Sequence, residues 1–325
     1  MTKPILITGV GGFIASHLAE RLLREGQPVR GLARRPERAG WLADLGVEVV
    51  AGDLLRPESI AQAADGCAAI VHAAAWTGGS EISEDAGYRA NLEGTANVLA
   101  AARSAHVERL VYLSSVAVYG LNNAPVIDET MPTPVVGQAY PDSKIAAEEL
   151  VRRSDLPTVV VRPASTYGPR GEAWTCSILR QIQQGRLVLL GADDGLVTPG
   201  FIDNVVDGLC LALTHPDAVG QAFNLCDATS VTYREFYLAY ARMLGKNSLP
   251  TLPSFAAHLA RTLPANLLRR MLGRPVVGQW SLHFRLHRSR FSIAKAQRLL
   301  GYSPDIDFSE GMRRTAEWVS GWLSN

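Results

Sequence analysis

The chain opens on an apolar run, Ile5-Leu6-Ile7, that ends at once in a glycine turn. Short apolar runs recur at residues 28–33, 47–51, 69–73, 109–114 and 158–162. None alternates strictly between apolar and polar residues, so each predicts a strand covered on both faces. Between them, residues 13–25, 57–64, 88–104 and 140–153 carry apolar side chains at helical spacing. This alternation predicts an α/β fold built on a doubly wound parallel sheet. One more strand, at 222–226, is expected to rejoin that sheet late in the chain. From residue 167 the pattern loses its regularity. Helices are expected at 176–184, 204–214, 233–244, 253–272, 292–300 and 309–323, separated by Gly and Pro loops. This half reads as a smaller mixed lobe over the strand ends, where open α/β sheets bind ligands.

Composition narrows the function classes. Lys and Arg number 32 against 31 Asp and Glu, so a net charge of +1 gives no bulk reason to bind nucleic acid. Hydrophobic residues at 47% and charged residues at 19% are ordinary for a globular protein. Cys67, Cys176, Cys210 and Cys226 lie far apart without C-x-x-C spacing, which predicts reduced thiols in a cytoplasmic setting and no metal site. No stretch of 18 uninterrupted apolar residues is present, so no transmembrane segment is expected. The first apolar run suits a buried strand better than a signal peptide.

The turn after the first strand reads Thr8-Gly9-Val10-Gly11-Gly12-Phe13-Ile14-Ala15. Missing Cβ atoms at Gly9 and Gly12 let backbone, with Phe13 and Ile14 opening the helix, approach a pyrophosphate. Small Ala15 permits close packing of helix on strand. The end of the second strand then discriminates between nicotinamide cofactors. An acidic residue there would accept from a ribose 2′-hydroxyl, but Ala33 is followed by Arg34 and Arg35. Two guanidiniums suit a 2′-phosphate and hence NADP, with NAD as the alternative if they only solvate a loop. Asp53, beside Leu54, suits either the adenine amino group or a cap before Pro57. Ala73, Ala74 and Ala75 are small where backbone must pass close to a dinucleotide, or simply where it packs.

Tyr140 and Lys144 lie four residues apart, which puts both side chains on one helix face. An ammonium beside a phenol favours the phenolate and suits the phenol to general acid/base work near neutrality. A hydroxyl such as that of Ser115 can hydrogen-bond a substrate oxygen while the proton moves. Alone, the Tyr/Lys pair is an everyday feature of exposed helices.

Taken in order, these elements resemble the extended short-chain dehydrogenase/reductase family. The likeness covers residues 8–15, Gly52-Asp53-Leu54, His72-Ala73-Ala74-Ala75, Asn91-Leu92-Glu93-Gly94-Thr95 and Ser114-Ser115-Val116-Ala117-Val118-Tyr119-Gly120. It continues through Tyr140/Lys144, Arg162-Pro163, Tyr167-Gly168-Pro169-Arg170, Phe201-Ile202-Asp203-Asn204 and Leu300-Gly301-Tyr302-Ser303-Pro304. The resemblance implies a Rossmann domain over residues 1–166, rejoined by 199–228, with 167–325 mostly a substrate-binding lobe. It implies Ser115, Tyr140 and Lys144 as catalytic residues, with Lys144 holding the nicotinamide ribose and depressing the tyrosine pKa. It also implies Asn91 and Pro163 near the cofactor, Ser114 at the strand end and Tyr119 in packing. A homodimer through the helices at 91–104 and 140–153 is a further implication.

Two departures bear on the substrate. Nucleotide-sugar enzymes of the family carry an asparagine where this chain has Ser165, and often an arginine where Thr198-Pro199-Gly200 stands. The expected substrate is therefore an apolar or polycyclic ketone or secondary alcohol. A nucleotide-sugar epimerase or dehydratase with tightly held NAD is the runner-up, and a catalytically idle dinucleotide-binding regulator the third reading. Trp76, Tyr167, Trp174, Phe201, Trp280 and Phe284 are candidates to line the pocket. The segment 253–274, mixing leucines with Arg261, Arg269, Arg270 and Arg274, resembles an insertion in 3β-hydroxysteroid dehydrogenase and dihydroflavonol reductase relatives. It suits a lid, a dimer contact or, last, a peripheral membrane contact.

Overall fold

The computed structural model describes residues 2–78, 82–191, 195–252 and 288–323. Seven strands form its main sheet: β1 (Ile5–Thr8), β2 (Val29–Ala33), β3 (Glu48–Ala51), β4 (Ala69–His72), β5 (Arg109–Leu113), β6 (Thr158–Pro163) and β7 (Ala222–Leu225). Their order is β7-β6-β5-β4-β1-β2-β3, and every neighbouring pair is parallel. Strand order reverses between β1 and β4, where Thr8 pairs with His72. A crevice outside the strand ends opens at such a reversal, which fixes where a ligand can sit.

Both faces of the sheet are apolar because successive side chains go to opposite cores. Leu6, Ile70, Leu110 and Val160 pack under helices α2 (Pro57–Ala64), α3 (Glu84–Ser104) and α4 (Ala139–Arg153). Ile7, Val71, Val111 and Val161 pack under α1 (Phe13–Arg24) and α5 (Ile202–Thr214). Helix α3 begins earlier than its apolar spacing suggests. The Ser83 hydroxyl caps it, accepting from the Ala86 amide at 3.2 Å, and Glu84 and Asp85 complement the positive end of its dipole.

The smaller lobe is organised by aromatic contacts. Tyr167 lies edge-on to Phe201 and Phe236, and Phe236 stacks on Phe308, joining α6 (Tyr233–Met243) to α7 (Phe308–Leu323). Tyr167 and Phe201 are fully buried here, and Trp174 packs edge-on against Phe236. Tyr167 and Phe201 therefore build the lobe's core, which corrects the expectation that they line a pocket, while Trp174 stays half-buried against that core. Facing elements close over the Tyr167 and Phe201 rings and leave those two no open side. The segment 253–274, the expected helix at 253–272, Trp280 and Phe284 lie outside the described residues. Among the described residues, no helix is long and apolar enough to cross a membrane.

Candidate active site

The glycine turn lies at the sheet's reversal. Gly9 has φ +67°, and a Cβ there would stand 2.8 Å from the Ala74 Cα. Glycine is thus required twice, by the left-handed backbone and by the segment crossing from β4. Gly12 precedes α1, whose first turn has neither a side-chain cap nor an acidic residue. That end keeps its amides and positive dipole available for an anion. Phe13 and Ile14 are half-buried behind it, and Phe13 reaches Gly171 of the small lobe.

A buried polar chain ties β1, β4 and α3 together behind the turn. The Thr8 hydroxyl lies 2.8 Å from His72 Nδ1 and accepts from the Ala74 amide, while His72 Nε2 lies 3.1 Å from the Thr95 hydroxyl. Thr95 donates its one proton to the Asn91 carbonyl at 2.7 Å, so it must accept from His72 Nε2. The imidazole therefore carries its proton on Nε2 and receives Thr8's on Nδ1. Burial, with the Lys144 charge in support, holds its pKa down to about 3 and the ring stays neutral. Sequence reasoning passed over this chain, although a histidine ending an apolar strand was a visible signal.

Asn91 is engaged at both ends of its amide. It accepts from the Trp76 amide at 2.7 Å and donates to the Trp76 carbonyl and the Ser143 hydroxyl, both at 2.9 Å. It thereby pins the segment holding half-buried Ala73, Ala74 and Ala75 against α3 and α4. The Trp76 ring fills the space a Cβ on Gly87 would need. Asp53 uses Oδ1 to accept from the Leu55 amide at 2.9 Å, a turn-capping contact, while Leu54 packs on Gly94. Arg34 and Arg35 are exposed after β2, and neither side chain meets a hydrogen-bonding or acidic partner among the described residues.

Ser115 follows β5, and its hydroxyl accepts from the Ala117 amide at 3.1 Å and hydrogen-bonds the half-buried Tyr140 phenol. One turn along α4, Lys144 is buried and donates to the Leu113 carbonyl at 2.7 Å, with its ammonium 4.9 Å from the Tyr112 ring centre. Burial pulls the Lys144 pKa down to about 7, against the opposing charge of Glu148. Burial pushes the Tyr140 phenol up, and the Ser115 hydrogen bond acts against it. The expectation of a depressed phenol is therefore corrected for the protein by itself. The ammonium is turned to a carbonyl and a ring, so desolvation dominates at the phenol. Pro163 ends β6 beside this group and is buried.

Beneath these residues lies an ionic network. Ser114 donates to Glu148 at 2.8 Å, and Arg162 pairs with both Glu148 oxygens. Arg162 also donates to the Tyr119 hydroxyl at 2.7 Å, which donates on to Asn224 of β7 at 2.7 Å. Tyr119 packs as expected, stacked on Phe291 in a buried cluster, and its hydroxyl also joins the network. An arginine and a glutamate in otherwise apolar surroundings were the available signal.

The chain matches the model of the NAD dependent epimerase/dehydratase family over residues 5–226. It is 31% identical over 316 residues to a 4-hydroxy-2-methyl-3-oxo-4-farnesyl-3,4-dihydroquinoline-1-oxide ketoreductase of Stigmatella aurantiaca, covering 94% of this chain and 93% of that protein. It is 30% identical over 329 residues to a 3 beta-hydroxysteroid dehydrogenase/Delta 5-->4-isomerase of Mycobacterium tuberculosis, covering 92% and 86%. The crystal structure of gox2253 superimposes with a TM-score of 0.81 at 28% identity, covering 99% of each chain. A parallel sheet reversing at a glycine turn, with these matches along nearly its whole length, makes the chain an extended short-chain dehydrogenase/reductase of the NAD dependent epimerase/dehydratase family, an NAD(P)-dependent enzyme.

Proposed function

We propose that the protein interconverts a ketone and a secondary alcohol on an apolar or polycyclic small molecule, with NADP as its cofactor. The observation that carries this reading is the grouping of Ser115, Tyr140 and Lys144 at the crevice end of β5 and on one face of α4. Residues 1–166 with 199–228 form the dinucleotide-binding part in this reading, and 167–325 mostly the substrate lobe. The uncapped end of α1 and the Gly9–Ala74 approach fit a pyrophosphate, and unpaired Arg34 and Arg35 fit a 2′-phosphate. The remaining cofactor contacts fall to Gly12, Phe13, Ile14, Asp53, Leu54, the three alanines, Asn91 and Pro163. When bound, the nicotinamide supplies or accepts the hydride.

The chain's own residues then handle the proton. Tyr140 gives its phenolic proton to the carbonyl oxygen as the alcohol forms, or takes it back in the reverse direction. Ser115 donates to the same oxygen and holds it at the phenol. Lys144 holds the nicotinamide ribose through its ammonium and stabilises the phenolate that Tyr140 becomes. The two departures from nucleotide-sugar enzymes support an apolar substrate. Ser165 is buried within a strand, and the Thr198 hydroxyl is occupied by Ser230 at 2.9 Å and by the Phe291 amide. Neither offers a guanidinium or amide to a diphosphate. Names of two relatives, a ketoreductase and a hydroxysteroid dehydrogenase, point the same way.

The test is a panel of cyclic ketones and hydroxysteroids assayed by NADPH oxidation or NADP reduction. Tyr140→Phe should lower kcat at least about 100-fold while cofactor affinity stays nearly unchanged, since only the transferable proton is lost. Retention of more than about a tenth of wild-type kcat would remove Tyr140 from the mechanism.

A further inference from the structure

Tyr140, Lys144 and Glu148 follow one another at four-residue intervals along α4, so they share a face. The proposed chemistry uses the first two and leaves the third unexplained. Glu148 is 4% exposed, and its two oxygens accept four bonds from Ser114, Arg162 twice, and Arg152. Two of these donors adjoin the candidate site in sequence. Ser114 precedes Ser115, and Arg162 precedes Pro163. A carboxylate so fully bonded is held as an anion, and burial makes its charge act strongly at short range.

We propose that Glu148 is a positioning residue of the proton-transfer site, fixing the ends of β5 and β6 through Ser114 and Arg162 and supplying the counter-charge to the Lys144 ammonium. This rests on the reading that Lys144 holds the nicotinamide ribose. Other groups cannot take over that counter-charge. His72 of β4 is neutral, β5 presents the Tyr112 ring and the Leu113 carbonyl, and Tyr140 is an uncharged phenol at neutral pH. Arg162 of β6 and Arg152 are cations directed at Glu148 itself. Among the described residues Glu148 is the one anion that acts on Lys144, against the burial that drives the ammonium toward neutrality near pH 7.

The experiment reads NADH affinity from pH 6 to 9, which needs no substrate and avoids the titrating 2′-phosphate. In the wild type, affinity should fall as pH rises through the Lys144 midpoint, because deprotonation removes a charge-assisted donor, and Lys144→Met should abolish the fall. Glu148→Gln should move the midpoint down by at least about half a pH unit. The neutral pair Glu148→Gln/Arg162→Gln should show the same shift while leaving no unpaired buried charge, which separates positioning from folding. Trimethylamine N-oxide keeps a weakened variant folded without adding charge. A folded neutral-pair variant with the wild-type midpoint overturns the proposal, as does a pH limb that survives Lys144→Met. Failure of the ketone panel leaves this binding measurement intact, so the two readings fail separately.

Discussion

Replacing Arg162 with methionine removes one half of the most deeply buried ion pair described, whose side chains are 2% and 6% exposed. Methionine fills much of the volume but donates nothing, so Glu148 keeps only Ser114 and half-exposed Arg152. Tyr119 also loses its donor. Breaking a buried pair from one side costs about 3–5 kcal/mol. At roughly 2–4 °C per kcal/mol for a large domain, the melting temperature should fall by roughly 6–20 °C. The pH dependence carries a sign that distinguishes this cause from a simple packing defect. Burial by itself would raise the Glu148 pKa, but hydrogen bonds and charge from Arg162, with Ser114 and Arg152, bring it below the usual carboxylate value. In the wild type this stabilisation is complete above the unfolded carboxylate pKa of about 4.3 and is lost as pH falls through the lower folded value. In the variant, burial acts with much less opposition, so Glu148 takes up a proton as pH falls and relieves the uncompensated charge. The stability gap should therefore narrow between pH 7 and pH 5 in urea unfolding. A loss below about 1 kcal/mol at pH 7, or a gap that widens on acidification, would refute the assignment of an uncompensated charge.

Two other outcomes are expected. Changing Arg34 and Arg35 together to alanine should leave stability within about 0.5 kcal/mol, since both are exposed and unpaired. It should lower the NADP-over-NAD preference at least about tenfold by removing charge-assisted bonds to the 2′-phosphate. Calorimetric titration of both cofactors checks this, and a wild-type preference for NAD would contradict it. Light scattering at micromolar concentration should give twice the chain mass of 35.1 kDa, with α3 and α4 at the contact. A monomer there would discard the dimer without touching the site.

Much of the fold was legible because parallel strands buried on both faces leave continuous apolar runs. Residues 158–162 and 69–73 declared themselves this way, and the glycine turn after β1 marked the crevice. The Tyr140/Lys144 spacing was equally local, since helix geometry alone places residues four apart on one face. Position and charge state were different matters. Whether Lys144 faces the phenol or the Leu113 carbonyl depends on where β5 ends relative to α4, and those segments lie about thirty residues apart in sequence. The i,i+4 pair of Glu148 with Arg152 is local, but its bonds to Ser114 and Arg162 bring two strands to the helix, which no spacing rule contains. Tyr167 and Phe201 looked like pocket residues for the same reason. Apolar character is written in the residue, but which other element covers it is decided only by packing. Local order sets what a residue can do, and the desolvation and partners that set its pKa arise only when distant segments close over it.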